Sequence, residues 1–149
     1  MITTGVDSYI TVHESEELLR GHKLYDPYLA LPELSKERLL KEAVMRIDSL
    51  PFSGRKYGLG QKMAFPRNGS AEIPYRVKMA QAIEAACVLD SEAENRRLMA
   101  EQGVRSVTLG KVSESYSENG NDVFRLKGLR SRDAYMMLRM YLLGSAPIV

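Results

Sequence analysis

Histidine and cysteine, which often act as metal ligands or in catalysis, are rare in this sequence, and their spacing does not suit them to act together. His13 and His22 are the only histidines, and Cys87 is the only cysteine. A zinc site needs three or four convergent ligands, and a cysteine nucleophile needs a histidine base close to it. The sequence therefore predicts no metal site, no cofactor and no catalytic residue. Cys87 lies among alanines, which favours a small buried side chain.

A glycine-rich segment resembles part of a ligand-binding motif but lacks the rest of it. Gly58 and Gly60 precede Lys62, yet no Ser or Thr follows and no strand precedes, as a phosphate-binding loop requires. No pair of carboxylates stands in an otherwise apolar setting, so acid–base catalysis is not indicated. We predict that the protein is not an enzyme. A small regulatory or toxin-type enzyme domain is the least favoured alternative.

Two groups of basic residues could contact nucleic acid. The first mixes cations with rings: Arg55, Lys56, Tyr57, Lys62, Phe65 and Arg67. The second is Arg125, Lys127, Arg130, Arg132 and Arg139. Rings beside cations can hold single-stranded nucleic acid by stacking and phosphate attraction. The alternative, which we favour for Tyr57 and Phe65, is that the rings pack onto the protein while the cations face water.

Prolines should fix the course of the loop that carries the first basic group. Phe65, Pro66 and Arg67, followed by Pro74, are predicted to form a structural loop, because proline limits the backbone where the flanking helices meet. Such a loop is a packing and assembly feature rather than a catalytic one.

The bulk composition indicates one folded domain. The chain has 149 residues, 44% of them hydrophobic and 27% charged, with a formal net charge of +2. This composition is globular, and the weak positive charge does not by itself imply a DNA-binding protein. A single cysteine suits a reducing compartment, and no apolar run approaches the length of a membrane span. We expect a soluble intracellular product with no membrane partner.

Helical patterns dominate the elements that must position these residues. Thr11 and Glu14 form a capping box, and a second helix should run from Ser35 to about Leu50. Residues 25–34 contain two prolines and predict a loop. Pro74 should open an alanine-rich helix whose buried residues are Val77, Ala80, Ile83, Ala86 and Cys87.

Residues 104–116 have a different pattern. Val107 and Leu109 alternate with polar residues, and Gly110 and Lys111 can form a two-residue turn, so we predict a β-hairpin. Ser131 should start the last helix. The predicted fold class is mainly α, a small helical bundle with a protruding β-hairpin. We expect one domain over residues 1–149, with an extended N-terminal arm and a C-terminal tail.

The last helix is rich in methionine and tyrosine, which cover more than one of its faces. Its candidate subunit-interface residues are Met136, Met137, Met140 and Tyr141. Methionine suits adaptable interfaces, although a fully buried core helix explains the pattern equally well. If the helix is an interface, Met137→Asp or Tyr141→Asp should reduce assembly more than stability.

An ordered series of short motifs resembles a known family. The series comprises Ser8-Tyr9-Ile10-Thr11, Ile47-Asp48, Phe52, Gly54, Arg55, Gln61, Ala64-Phe65-Pro66-Arg67 and Ile73-Pro74. It resembles the head–tail connector (adaptor) proteins of tailed bacteriophages, some of which carry the label of a primosome-type single-stranded-DNA-binding protein. The similarity covers roughly residues 5–116 and is strongest over residues 43–86. Phe65 stands where the family commonly has tryptophan.

The resemblance implies a structural subunit of the virion neck, assembled in the host cytoplasm. A homo-oligomeric ring, typically of twelve copies, would lie under the portal protein and dock the tail or head-completion protein. Packaged double-stranded DNA would pass through the ring without sequence-specific contacts.

The same resemblance implies two contact regions. The candidate portal-binding residues are Leu143, Ala146, Pro147, Ile148 and Val149. Arg105 and Lys111, in the predicted hairpin, are candidates for contact with the channel lumen or the downstream protein. The alternative function is a single-stranded-DNA-binding replication accessory protein that uses the loop from Arg55 to Arg67.

Overall fold

The computed structural model describes residues 1–90 and 128–143, and these residues are mostly helical. The helices are α1 (Val12–Leu19), α2 (Tyr25–Leu29), α3 (Glu33–Asp48), α4 (Tyr75–Ala86) and α5 (Arg132–Leu138). Turns of 3₁₀ helix follow at Cys87–Leu89 and Arg139–Tyr141. Within these two ranges there are isolated β-bridges but no strand. The predicted mainly α class is confirmed here, while the predicted hairpin at 104–116 lies outside the described residues.

Side-chain caps start the first and last helices as the sequence predicts. The Thr11 hydroxyl accepts a hydrogen bond from the Glu14 backbone N–H at 3.0 Å, and the Glu14 carboxylate accepts one from the Thr11 N–H. At α5, the Ser131 hydroxyl accepts from the Ala134 N–H at 3.1 Å. These caps satisfy backbone donors that the first turn of a helix leaves free.

Two predictions of helix boundaries are wrong. Residues 25–34 are not a continuous loop, because α2 forms at Tyr25–Leu29 and includes Pro27. Proline is tolerated in a first helical turn, where its missing N–H has no intrahelical partner to lose. In addition, α3 begins at Glu33 after Pro32, two residues before the predicted cap at Ser35.

Helix α4 lies at the centre of the fold and packs against α1, α3 and α5. Its buried face contains Val77, Ala80, Ile83 and Ala86 as predicted, and Cys87 is buried at the start of the 3₁₀ turn that follows. Small side chains let the neighbouring helices approach closely, so α4 can bury almost its whole circumference from Ala80 onward. No helix in the described part of the chain is long and apolar enough to cross a membrane.

The end of the predicted N-terminal arm is part of the core. Ser8, Tyr9 and Ile10 are buried, and the fully buried Gln81 of α4 holds this segment in place. The Gln81 Oε1 accepts from the Tyr9 backbone N–H at 3.0 Å. Its Nε2 donates to the Ser8 hydroxyl at 2.7 Å and to the Leu40 carbonyl at 3.1 Å. One amide therefore joins the N-terminal segment, α3 and α4.

Candidate nucleic-acid interface

Residues 52–67, here called the basic loop, have no regular secondary structure but are fixed by the side chain of Arg67. Its Nε donates to the Ser53 carbonyl at 3.1 Å, and its Nη atoms donate to the carbonyls of Ala64 at 3.1 Å and Gly54 at 2.9 Å. A longer contact of 3.4 Å reaches the Phe52 carbonyl. The planar guanidinium thus ties both ends of the loop together.

Gln61 fixes the inside of the same loop. Its Nε2 donates to the carbonyls of Met63 at 2.8 Å and Pro66 at 2.9 Å, while its Oε1 accepts from the Gly58 N–H at 3.0 Å. The Tyr57 N–H also donates to the Pro66 carbonyl at 3.0 Å. Because three side-chain bonds and a backbone bond cross the loop, its exposed side chains project from a defined backbone.

Phe65 anchors the basic loop to the core. Its ring makes edge-to-face contacts with Tyr9, Phe52 and Tyr141, with centroid distances of 6.1, 4.8 and 5.5 Å. Only 2% of Phe65 is exposed, and its peptide bond to Pro66 is cis. The ring therefore cannot stack with a nucleobase. Edge-to-face pairs of this kind stabilise a core beyond simple burial.

The outer face of the basic loop is cationic. Arg55, Lys56 and Lys62 are exposed, and Tyr57 is 55% exposed, so the expectation that Tyr57 packs onto the protein is wrong. Residues 49–71 contain these three cations and Arg67 but no Asp or Glu. A local excess of positive charge with an accessible ring can attract phosphate groups and stack with a base.

A cleft of about 250 Å³ opens beside the basic loop. Its lining residues are Asp48, Leu50, Phe52, Lys56, Lys62, Ala64 and Arg67. Asp48, at the end of α3, is the one carboxylate among them. Burial raises the pKa of Asp48, and this effect is opposed by hydrogen bonds from the Tyr9 hydroxyl and the Ala64 backbone and by the positive charge of Lys56.

The motif residues that suggest a family resemblance meet at Tyr9. The Tyr9 hydroxyl donates to Asp48 and accepts from the Phe65 N–H at 3.2 Å. Burial and the neighbouring Asp48 raise the pKa of Tyr9 well above its ordinary value. Segments that are distant in sequence thus share one buried hydrogen-bond network, so these motifs encode the fold.

The candidate interface residues near the C terminus differ in exposure. Met136 and Met140 are exposed, whereas Met137 and Tyr141 are partly buried against the core. Leu143 is exposed, although its N–H donates to the Pro51 carbonyl at 2.7 Å. The other predicted contact residues lie outside the described ranges: Arg105, Lys111, Ala146, Pro147, Ile148 and Val149.

The second basic group is described only in part. Arg130, Arg132 and Arg139 are exposed around α5, while Arg125 and Lys127 fall outside the described ranges. Residues 1–90 and 128–143 contain no group of three or more His, Cys, Asp or Glu side chains that could hold a metal ion.

Sequence reasoning missed Asp48 as a lining residue of the cleft and Gln61 as a support of the loop. Asp48 had a usable signal, because it is the last carboxylate before the acid-free run of residues 49–71. Gln61 belongs to the motif series, but its role as a support was not evident, since it depends on carbonyl groups that only the folded loop brings together.

The chain matches one family of known proteins. Neither curated proteins nor solved structures gave a significant match to this chain. A family model described as "Putative DnaT-like ssDNA binding protein" matches residues 1–148. This result agrees with the single-stranded-DNA label that some members of the resembled family carry, and it gives no support to the phage connector identity. Since the match spans nearly the whole sequence, the chain belongs to the DnaT-like ssDNA binding protein family.

Proposed function

We propose that this protein binds single-stranded DNA without catalysis, through the basic loop. The observation that carries the proposal is the acid-free run of residues 49–71, whose exposed cations and Tyr57 project from a loop fixed by Arg67 and Gln61. The family description is consistent with this function.

The basic loop is preorganised for binding. A loop that is already held by hydrogen bonds loses little conformational entropy when it binds a ligand. Arg55 and Lys62 attract phosphates, and the exposed Tyr57 ring offers a face to an unpaired base. The net charge of only +2 means that this attraction is local, so binding should be moderate and sensitive to salt.

The test is fluorescence anisotropy with a labelled oligothymidine over a range of salt concentrations. We compare Arg55→Gln/Lys62→Gln with Arg20→Gln/Arg38→Gln, a control pair that removes the same charge from exposed positions in other parts of the chain. The loop variant should bind more weakly, and its log–log salt slope should be shallower by about 1.4, since each phosphate contact on a single strand contributes about 0.7.

The two variants also separate local binding from a general charge effect. Equal weakening in both would show that net charge alone matters, and no weakening in the loop variant would reject the basic loop as the binding surface. Absence of measurable binding by the parent protein would reject the proposed function.

A structural connector of a tailed phage is the second candidate function. It is favoured by exposed apolar side chains near the contact of α4 with α5, namely Tyr75, Met136 and Met140. Arg76 Nε donates to the Met137 carbonyl at 3.1 Å, which brings the start of α4 to α5. Such a surface would suit a neighbouring subunit of a ring bound to a portal protein in the virion neck.

This candidate predicts a different result from the first. The purified protein should co-sediment with the portal ring encoded in the same genome, and electron microscopy should reveal a second ring stacked on it. Failure to bind the portal, together with salt-dependent oligonucleotide binding, would exclude the connector in favour of the first proposal.

A further inference from the structure

The cleft beside the basic loop is lined mainly by positive charge. Three of its lining side chains are cationic, Lys56, Lys62 and Arg67, and one is acidic, Asp48. We propose that this cleft holds one phosphate group, and, resting on the proposed function, that this phosphate belongs to the backbone of bound single-stranded DNA.

The cations of the cleft have capacity left for a ligand. Arg67 directs its described hydrogen bonds to four backbone carbonyls, so its charge is solvated by neutral groups. Lys56 Nζ donates to the Gln61 carbonyl at 3.2 Å and has further protons to donate. Among the described residues, neither Arg67 nor Lys62 forms a salt bridge.

The balance of charges favours an anion even when Asp48 is ionised. Three positive charges and one negative charge leave an excess of two, which can neutralise a phosphodiester or a phosphate monoester. Asp48 opposes the ligand, but the Tyr9 hydroxyl holds its carboxylate and Lys56 attracts it. Of the two lysines, Lys62 lies farther from Asp48 along the chain. Its side chain is exposed and can turn toward the ligand.

The volume limits what can enter. Pockets for whole drug-sized ligands have volumes of roughly 300–1,000 Å³. The present cleft, at about 250 Å³, is smaller than this range and has ample room for a phosphate group. The exposed Tyr57 ring of the same loop lies outside the cleft lining, where it can stack with a base.

The test uses inorganic phosphate as the probe. Titration into the full-length protein is followed by two-dimensional amide NMR at constant ionic strength, with chloride as the reference anion. We expect saturable shifts of the amides of the basic loop with phosphate and none with chloride. Shifts that are equal for both anions, or absent, would overturn the cleft as a phosphate site.

Substitutions test whether phosphate binds in the cleft itself. Lys62→Gln should weaken phosphate binding about fivefold to tenfold, as expected when one charge-assisted contact is lost. Asp48→Asn, which keeps an acceptor for Tyr9, should strengthen it. Arg38→Gln is the control, because Arg38 is exposed on α3 and lies ten residues, or about 15 Å of helix, before Asp48. Equal affinities for Lys62→Gln and Arg38→Gln would contradict the proposal.

The same variants separate this inference from the proposed function. If phosphate binds in a Lys62-dependent way but oligonucleotides do not bind, the cleft is an anion site for a free phosphate compound and the proposed function fails. If oligonucleotides bind in an Arg55-dependent way while phosphate has no effect, the proposed function stands and the cleft assignment is wrong. Thermal unfolding of each variant, which should match the parent for Lys62→Gln, checks that folding is intact.

Discussion

The Nε of Arg46 on α3 donates a hydrogen bond of 2.6 Å to the fully buried carboxylate of Glu84 on α4. The same carboxylate accepts from the backbone N–H groups of Arg130 and Ser131, at distances of 2.9 to 3.1 Å. Glu84 therefore joins α3 and α4 to the start of α5. A buried carboxylate can be tolerated because its charge and lone pairs are satisfied in this way.

Replacing Glu84 with Gln should lower the free energy of unfolding by about 3–5 kcal/mol, because Arg46 would lose the charge that balances it in a buried setting. Urea unfolding followed by circular dichroism measures this loss. The control is Glu42→Gln, which removes a more exposed carboxylate 4.0 Å from the same arginine. It should change stability by less than about 1 kcal/mol. Similar losses in both variants would contradict the special role of Glu84.

Arg67→Lys should open the basic loop although the positive charge is kept. An ammonium group cannot reproduce the planar set of donors that reaches carbonyls on both sides of the loop. With about 1 kcal/mol for each lost hydrogen bond, the free energy of unfolding should fall by about 2–4 kcal/mol. Amide exchange within residues 52–67 should also accelerate. Arg55→Lys, at an exposed position, is the matched control, and an unchanged exchange rate in Arg67→Lys would refute the argument.

Tyr57→Ala should weaken oligonucleotide binding by about 1–3 kcal/mol if the exposed ring stacks with a base. Tyr75→Ala is the comparison, since this tyrosine is similarly exposed, at 63%, but lies outside the basic loop. Anisotropy titration of both variants at one salt concentration gives the difference. If Tyr75→Ala weakens binding as much as Tyr57→Ala, the DNA strand does not follow the basic loop.

Stability should depend on pH through Asp48. Because burial raises its pKa above the ordinary value of 3.8, the folded protein binds this proton more tightly than the unfolded chain does. The resulting stabilisation is present below pH 3.8 and is lost as the pH rises through the folded-state pKa. Asp48→Asn cannot ionise, so its stability relative to the parent should increase as the pH rises above 3.8. Urea unfolding at several pH values tests this, and a constant difference would reject it.

The methionines of α5 should respond according to their exposure. Met136→Asp and Met140→Asp change exposed side chains and should leave the thermal midpoint nearly unaltered while reducing any self-association. Tyr141→Asp should instead destabilise the fold, because its ring contacts Phe65 in the core. The sequence left an interface and a buried core helix equally open, and the packing of Tyr141 against the core favours the second for this residue. Thermal unfolding combined with sedimentation velocity distinguishes the two effects.

Local patterns predicted the parts of the fold that depend on neighbours in sequence. The caps at Thr11 and Ser131 and the apolar face of α4 are of this kind, since a helix repeats its faces every few residues. Such patterns do not reach Lys36, which is buried and pairs with Glu16 at 2.8 Å. That partner is 20 residues away in the sequence, and no local pattern identifies it.

The candidate site was predictable only as a collection of residue types. The sequence places cations and rings in one loop, yet it cannot tell that Phe65 turns inward while Tyr57 turns outward. Their orientations follow from Tyr9, Phe52 and Tyr141, which occupy the space around Phe65. Likewise, the sequence groups Arg67 with the other cations of the loop, and residue type gives no sign that its donors reach backbone carbonyls.

The Gln81 side chain has a consequence for protein synthesis on the ribosome. It holds the backbone of Tyr9, which the ribosome makes 72 residues earlier. The first-made segment therefore cannot take its final position until α4 has left the exit tunnel. Contacts of such long sequence separation slow folding, because a large loop must close before they form. Until then Ser8, Tyr9 and Ile10 lack the contacts with α4 that help to bury them, and transiently exposed groups of this kind are what chaperones protect.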